Sequence, residues 1–318
     1  LTVNKANVTC FNQNNGTATA IFSGGTAPYT IRWSDGNTQA SRTGLAPGNY
    51  EVVITDANGC IARSNVIITQ PSPILAIETI NPVSCFGGSD GSISLAITGG
   101  NGGFTVTWRN KVTGATVGTG NVVNNLPIGV YVATILDPLN CVITREYAIT
   151  QPAEPLAVSP ILSNVRCAGE NNGSIDLIVT GGTAPYTFSW SSGETTRAIN
   201  GKSGGSYTVN VRDSKGCIVS QTFDILEPLP IAVSLDSKQD VSCKFGNDGR
   251  IKINITGGTG AYNIQWSNGM TGTDLTGLRA GIYTVFIIDA SACLVSATYT
   301  VTEPSAELAV SASSSPEL

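Results

Sequence analysis

Four times along this chain a cysteine is followed 23 residues later by a tryptophan: Cys10 and Trp33, Cys85 and Trp108, Cys167 and Trp190, Cys243 and Trp266. Each block runs on to a Gly-x-Tyr, at Tyr50, Tyr131, Tyr207 and Tyr283, and ten residues later to a second cysteine, at Cys60, Cys141, Cys217 and Cys293. The first cysteines are 75, 82 and 76 residues apart. A period of that length is a small domain rather than a solenoid turn, so the chain reads as a string of similar modules. The period overrides the two domains that 318 residues would suggest. The repeats are assigned to residues 1–72, 73–153, 154–229 and 230–305, and residues 306–318 read as the start of a fifth. Glu307-Leu308-Ala309-Val310 resembles Pro155-Leu156-Ala157-Val158, which opens the third repeat, so the expectation is a window cut from a longer protein. Four copies of one unit in a row suit spacers, adhesins and filaments better than enzymes.

Inside each repeat the apolar period is two. Arg250-Ile251-Lys252-Ile253-Asn254-Ile255-Thr256 alternates cleanly, and Ile175, Leu177 and Val179 share one face. Such alternation marks half-buried strands. A Gly-Gly break follows, then a strand with an aromatic, an apolar residue and tryptophan in phase, as in Tyr186, Phe188 and Trp190. A turn, a Thr-rich segment, a strand from the repeated tyrosine and a last strand from the second cysteine complete the unit. Six or seven short strands and no helical stretch predict an all-β fold, a tandem array of four small immunoglobulin-like β-sandwiches. Leu45-Ala46-Pro47-Gly48-Asn49-Tyr50 has the form of a tyrosine corner. Leu126 to Tyr131 and Leu278 to Tyr283 keep it, whereas Lys202 replaces the leucine in the third repeat and predicts a looser corner. Between Trp108 and Cys141 the second repeat carries six extra residues, which predict a protruding hairpin around Lys111 to Asn121.

The repeats meet at Gln70-Pro71, Gln151-Pro152, Glu227-Pro228 and Glu303-Pro304. Proline ends a strand ladder and stiffens a connection, so a semi-rigid rod is expected, on the order of 150 Å long at about 3.3 Å per strand residue. Modules of this size bury only about 60–65% of their unfolded surface, which makes a covalent staple useful. The matched, even cysteines suit an oxidising compartment outside the cytosol.

Charged residues make up 12% of the chain, the net charge is −5 without a basic stripe, and histidine is missing. Nucleic acid is therefore not an expected partner. Without histidine neither a Ser-His-Asp triad nor a cysteine–histidine pair can form. Zinc would want closely spaced ligands, and no Cys-x-x-Cys occurs. Gly201-Lys202-Ser203 mimics the end of a phosphate loop, but Thr196 stands in place of its first glycine. No apolar run reaches the roughly 20 residues of a membrane span. No cofactor is expected.

Trp33, Trp108, Trp190 and Trp266 are read as core, with Tyr50, Tyr131, Tyr207 and Tyr283, rather than as platforms for sugars. The cysteines are read as disulfides. The preferred pairing lies within each repeat: Cys10 with Cys60, Cys85 with Cys141, Cys167 with Cys217, Cys243 with Cys293. It would close loops of about 50 residues, worth about 4 kcal/mol in the chain-entropy model. Pairing between neighbouring repeats is the rival, since in an immunoglobulin-like sandwich the two turns can lie at opposite ends. Asp56, Asp137, Asp213 and Asp289, with the glycine sites at Gly16, Gly91, Gly173 and Gly249, are weak calcium candidates. Their plainer reading is as turn formers.

Together, Cys-x4-Asn/Asp-Gly, Gly-Gly-x3-Tyr-x-φ-x-Trp-Ser-x-Gly, Gly-x-Tyr-x-Val and Asp-x-x-Gly-Cys, closed by Gln/Glu-Pro, resemble the SprB repeat. Residues 167–228 carry most of it: Cys167, Asn172-Gly173, Gly181-Gly182, Tyr186, Trp190, Gly193, Tyr207, Asp213, Cys217 and Pro228. The second repeat departs, with Phe104 for the tyrosine and Arg109 after the tryptophan. The resemblance implies a segment of a very large cell-surface adhesin of gliding Bacteroidetes, exported by the type IX secretion system. Such a protein would be held at the outer membrane through parts outside these residues. It implies attachment or gliding motility without catalysis, with weak, multivalent contact to surface polysaccharide or a solid substratum. A purely structural stalk and a carbohydrate-binding appendage of a secreted polysaccharide-degrading enzyme are the alternatives.

Overall fold

The computed structural model describes residues 1–307 and 309–311, and the expected fifth repeat lies mostly outside them. The chain is all β, and its contacts divide it after Pro155 into two units. Each unit holds two sandwiches, and each sandwich has its own buried cluster.

The first repeat shows the plan. Its strands are β1 (Thr2–Ala6), β2 (Gly16–Ile21), β3 (Thr30–Trp33), β4 (Ser41–Leu45), β5 (Gly48–Thr55) and β6 (Ile61–Ile68). One sheet has the order β1-β2-β4 and the other β3-β5-β6, all antiparallel. The chain changes sheet three times, at the Gly24-Gly25 break, at the turn after Trp33 and at the Pro47-Gly48 corner. The Thr-rich segment is thus a strand of the first sheet, β4, rather than a connector. Gly44, Gly201 and Gly277, with Asn125 in the second repeat, take positive φ in this strand and mark its bulge against the central strand.

The second repeat runs β7 (Leu75–Asn81), β8 (Gly91–Thr98), β9 (Thr105–Asn110), β10 (Thr116–Thr119), β11 (Val122–Leu126), β12 (Gly129–Leu136) and β13 (Val142–Ile149). Its extra residues fold β10 back along β9 and widen that sheet to the order β10-β9-β12-β13. Val112 at the hairpin tip is 90% exposed, in line with the expected protrusion. Sheets Ala157–Ser163, Gly173–Thr180, Ile199–Lys202 and Thr187–Trp190, Gly205–Arg212, Ile218–Ile225 form the third repeat. The fourth repeats that plan with Ala232–Gln239, Gly249–Thr256, Asp274–Leu278 and Asn263–Trp266, Gly281–Ile288, Leu294–Val301.

All four tryptophans are core residues, at most 3% exposed. Burial of an indole requires a partner for its N–H. Each finds one in the turn it precedes: the carbonyls of Gln39, Gly120, Thr196 and Gly272, at 2.8–3.0 Å. The tyrosine corner is present in every repeat. Tyr50, Tyr131, Tyr207 and Tyr283 donate to the carbonyls of Ala46, Pro127, Ser203 and Arg279 at 2.9–3.0 Å. Tyr131 is fully buried, and the other three are half-buried against their clusters. The expected looseness at Tyr207 is not found. Lys202 stays half-buried by pairing with Glu194, so the corner bond is unaffected.

Gly16, Gly91, Gly173 and Gly249 are not turn residues. Each opens the central strand of its first sheet, and none takes a positive φ. They are small because the last strand passes over them: a Cβ at Gly173 would sit 2.7 Å from Ile225 Cγ2 and 2.9 Å from the Lys202 carbonyl oxygen.

Candidate functional site: a cysteine clasp joining successive sandwiches

The two cysteines of a repeat sit in different loops at opposite ends of the sandwich. The first is in the loop between the first two strands. That loop is tied to the trailing end, where the chain leaves the repeat: Val8, Val83, Val165 and Val241 donate N–H bonds to the carbonyls of Thr69, Thr150, Leu226 and Thr302. The second is in the turn before the last strand, at the leading end. There Asp56 takes the Thr26 N–H, and in the third and fourth repeats Ser214 and Ala290 donate to Thr183 and Thr259. Strands of about eight residues separate the ends by roughly 25 Å. A disulfide needs Cα atoms within about 7 Å.

Pairing therefore joins neighbours. Cys10 is bonded to Cys141, with Cα atoms 5.5 Å apart, and Cys167 to Cys293, at 5.6 Å. Each bond links the first cysteine of one repeat to the second cysteine of the next. The preferred pairs within repeats, Cys10–Cys60, Cys85–Cys141, Cys167–Cys217 and Cys243–Cys293, are not formed, and the rival scheme is the correct one. Cys60 and Cys243 are exposed free thiols. Bridges spanning 131 and 126 residues each contribute about 5 kcal/mol in the chain-entropy model.

Both halves of the clasp are built by side chains. The leading half centres on the repeated aspartate. Oδ1 of Asp137 accepts the N–H groups of Leu139 and Cys141, and Oδ2 accepts from the backbone and side-chain amide of Asn101. Asp56 and Asp289 repeat the pattern with Cys60 and Thr26, and with Cys293 and Thr259. Asp213 holds Cys217, Lys215 and Thr183 in the same way. Burial pushes the Asp137 carboxyl up, yet the bonds from Cys141 and Asn101 outweigh it and hold it below the ordinary 3.8. Burial opposes and the N–H of Thr183 and Cys217 lower Asp213 likewise, and Asp289 is lowered chiefly by Cys293. The calcium reading gains no support from this geometry. Each carboxylate is consumed by N–H donors, Oδ1 by those of its own turn and Oδ2 by the loop after the Gly-Gly break, and among the described residues no group of three or more metal-ligating side chains converges.

The trailing half holds the first cysteine in a turn closed by Gln13, Gly88, Glu170 and Gly246 donating to the carbonyls of Cys10, Cys85, Cys167 and Cys243. Asn15, Asp90, Asn172 and Asp248 accept the N–H of the residue before the cysteine. The linker residues Gln70, Gln151, Glu227 and Glu303 accept the N–H two residues after it, from Asn12, Gly87, Gly169 and Phe245. Sequence reasoning treated these four only as punctuation. Their signal was a constant separation of 58 residues, becoming 64 in the repeat with the six-residue insertion.

Across the first junction Asn101 Nδ2 donates to the Thr9 carbonyl oxygen at 2.9 Å. Sγ of Cys141 lies 3.3 Å from the same oxygen, and Sγ of Cys293 lies 3.4 Å from the equivalent oxygen of Arg166. The two clasps thus share one geometry.

The SprB repeat family matches residues 2–38, 77–113, 159–195 and 235–271. The chain carries four SprB repeats. Each match runs from the first strand through the tryptophan turn, so it includes the first cysteine and leaves out the tyrosine corner and the second cysteine. No curated protein matches the chain. Among solved structures the chain is similar to Sidekick-1 immunoglobulin domains 1–5, at 14% identity and TM-score 0.30, covering 95% of this chain and 81% of that one. It is also similar to the insect immune protein hemolin, at 13% and 0.24 over 92% and 96%. Drosophila OTK extracellular domains 3–5 match at 13% and 0.26 over 74% and 92%. The sandwich assignment rests on the strand pairing. SprB repeats occur in cell-surface proteins, and the disulfides suit an extracellular setting. Among the described residues no helix is long and apolar enough to cross a membrane.

Proposed function

We propose that this array is a non-catalytic, load-bearing segment of an extracellular adhesin or surface filament serving attachment or gliding. The observation that carries this reading is the direction of the disulfides, each running from the trailing end of one sandwich to the leading end of the next. Tension entering at Leu1 reaches Cys10 and can cross directly to Cys141, a covalent path far shorter than residues 11–140. In the other unit Cys167–Cys293 bypasses residues 168–292 in the same manner. A bond inside each repeat would instead leave every junction dependent on its linker. A surface rich in Ser, Thr and Asn, with 12% charged residues, suits weak contact with polysaccharide or a solid substratum, summed over many repeats. Type IX export and outer-membrane attachment belong to this reading through the family.

The test is to pull the chain by its ends with and without a reductant. Oxidised chains should resist extension of the bypassed loops. Reduction should release about 450 Å of contour for the 131-residue bridge at about 3.5 Å per residue. Equal extension in both states would remove the mechanical role, and beads coated with the chain that fail to adhere to polysaccharide would leave a stalk alone.

A further inference from the structure

Cys60 and Cys243 are complementary halves of the clasp seen at Cys10–Cys141 and Cys167–Cys293. Cys60 is a second cysteine at a leading end, equivalent to Cys141 and Cys293. Cys243 is a first cysteine at a trailing end, equivalent to Cys10 and Cys167. Cys10 and Cys141 are buried in their bond, at 8% and 7% exposure, whereas Cys60 and Cys243 are exposed.

Both free halves are already held in the bonded geometry. Asp56 Oδ1 takes the Cys60 N–H at 2.8 Å and its Oδ2 the Thr26 N–H at 3.0 Å, as Asp289 does for bonded Cys293 and Thr259. At Cys243 the turn is closed by Gly246, Asp248 accepts the Ser242 N–H at 3.0 Å, and Glu303 accepts the Phe245 N–H at 2.7 Å. Bonded Cys167 has the same three supports in Glu170, Asn172 and Glu227.

A second observation marks the Cys60 face as a receiving surface. Beside Cys10–Cys141 and beside Cys167–Cys293 lies a cleft lined by both cysteines and by apolar residues, with Phe11, Pro71 and Ile74 at the first and Ala168, Pro230 and Ile231 at the second. Cys60 lines a cleft at the matching place, with Leu1, Phe22, Tyr29 and Ile61, and no other repeat contributes to it.

We propose that Cys60 and Cys243 are covalent docking sites for another SprB repeat, each selective for the opposite half. Cys60 takes the first cysteine of a partner repeat and Cys243 takes the second, so the array extends head to tail. The chemistry is thiol–disulfide exchange. With a small disulfide such as oxidised glutathione as oxidant, the Cys243 thiolate attacks one sulfur and releases one glutathione thiol. The Cys60 thiolate of the partner then attacks the Cys243 sulfur of the mixed disulfide and releases the second. Two protein thiols are oxidised and one glutathione disulfide is reduced. The inference stands on the disulfide geometry and is independent of the adhesive reading.

The experiment uses a second copy of this chain as the partner repeat. Cys60→Ser and Cys243→Ser variants are mixed in equal amounts with oxidised glutathione, and the linked dimers are mapped by peptide mass spectrometry. Cys60–Cys243 links should exceed like-with-like links by about tenfold, which one or two well-made contacts supply. The wild-type chain should form a ladder of oligomers, and each single variant alone should not. A statistical 2:1:1 distribution, with the mixed link only twice as frequent as either like-with-like link, would overturn the proposal, and so would monomers that end only as glutathione adducts. Asp56→Asn in the Cys60-bearing chain provides a second readout. It should lower the preference while leaving the thiol free to react with glutathione, and an unchanged preference would count against the preformed site.

Discussion

Asn101 donates its side-chain amide to the carbonyl oxygen of Thr9 at 2.9 Å, reaching from the second repeat into the first beside the Cys10–Cys141 bond. The same amide donates to Asp137 Oδ2 at 2.8 Å, so one side chain couples the buried carboxylate to the junction. The other repeats have threonine at this place, Thr26, Thr183 and Thr259. Asn101→Thr should therefore keep the second sandwich folded and weaken the junction by about 1 kcal/mol, the usual net value of one hydrogen bond. Timed alkylation during mild reduction should then find Cys10–Cys141 opening several-fold sooner than in wild type. An unchanged rate would mean the contact is incidental.

The aspartates set an acid limit. Their carboxyls are lowered below 3.8 in the folded chain. A lowered folded value means the stabilisation is complete above the ordinary value and drains away as pH falls through the folded one. Melting temperature should hold from neutrality down to about pH 4 and fall below it. Asp213→Asn should melt lower than wild type at pH 7, and the gap should narrow as pH falls below 3.8 and the wild-type carboxylate takes up its proton. A constant gap across that range would deny the linkage.

Calcium should leave melting unchanged. The carboxylates of Asp56, Asp137 and Asp289 each already accept two or more N–H bonds, and a cation would have to break them. Calorimetry with excess calcium and then with a chelator is the check. A chelator-sensitive transition would reinstate a metal.

Trp190 fills the third core at 3% exposure. Trp190→Ala should cost that sandwich about 3–5 kcal/mol. Hydrogen exchange resolved by peptide should show the loss in Thr187–Trp190 and Gly205–Arg212, with the first unit unaffected. Uniform loss over all four repeats would mean that the cores are not independent.

Gly173 tests packing without touching polarity. Adding one methyl brings it within 2.7 Å of Ile225 Cγ2, and overpacking of this kind costs about 1–3 kcal/mol. Gly173→Ala should lower the denaturation midpoint of the third repeat, whereas the same change at a true turn glycine would act through φ. A neutral effect would show that Ile225 can swing aside.

The sandwich was legible because its signals are local. Alternation in Arg250–Thr256, the in-phase Trp190 and the Leu-x-Pro-Gly-x-Tyr corner each report on neighbours within a few residues or on which face is wet. Residues whose partners are distant in sequence were harder to read. Gln70 looked like the end of a linker until it met the Asn12 N–H, 58 residues away. Gly16 and its equivalents looked like turn formers, because crowding by a strand some fifty residues later leaves no local mark. Lys202 looked like a defect in the corner, since its compensating partner Glu194 lies on another strand connection.

From its order of residues alone, this protein's class, repeat count and core tryptophans were determined, because burial periodicity and turn chemistry are written at short range. Which cysteines meet was decided only in three dimensions. Cys10 and Cys60 are nearer along the chain than Cys10 and Cys141, but folding sends the first two to opposite ends of one sandwich. It brings the second two within 5.5 Å across a junction. A disulfide forms where Cα atoms approach and Cβ vectors converge, and that is a property of the folded surface rather than of spacing.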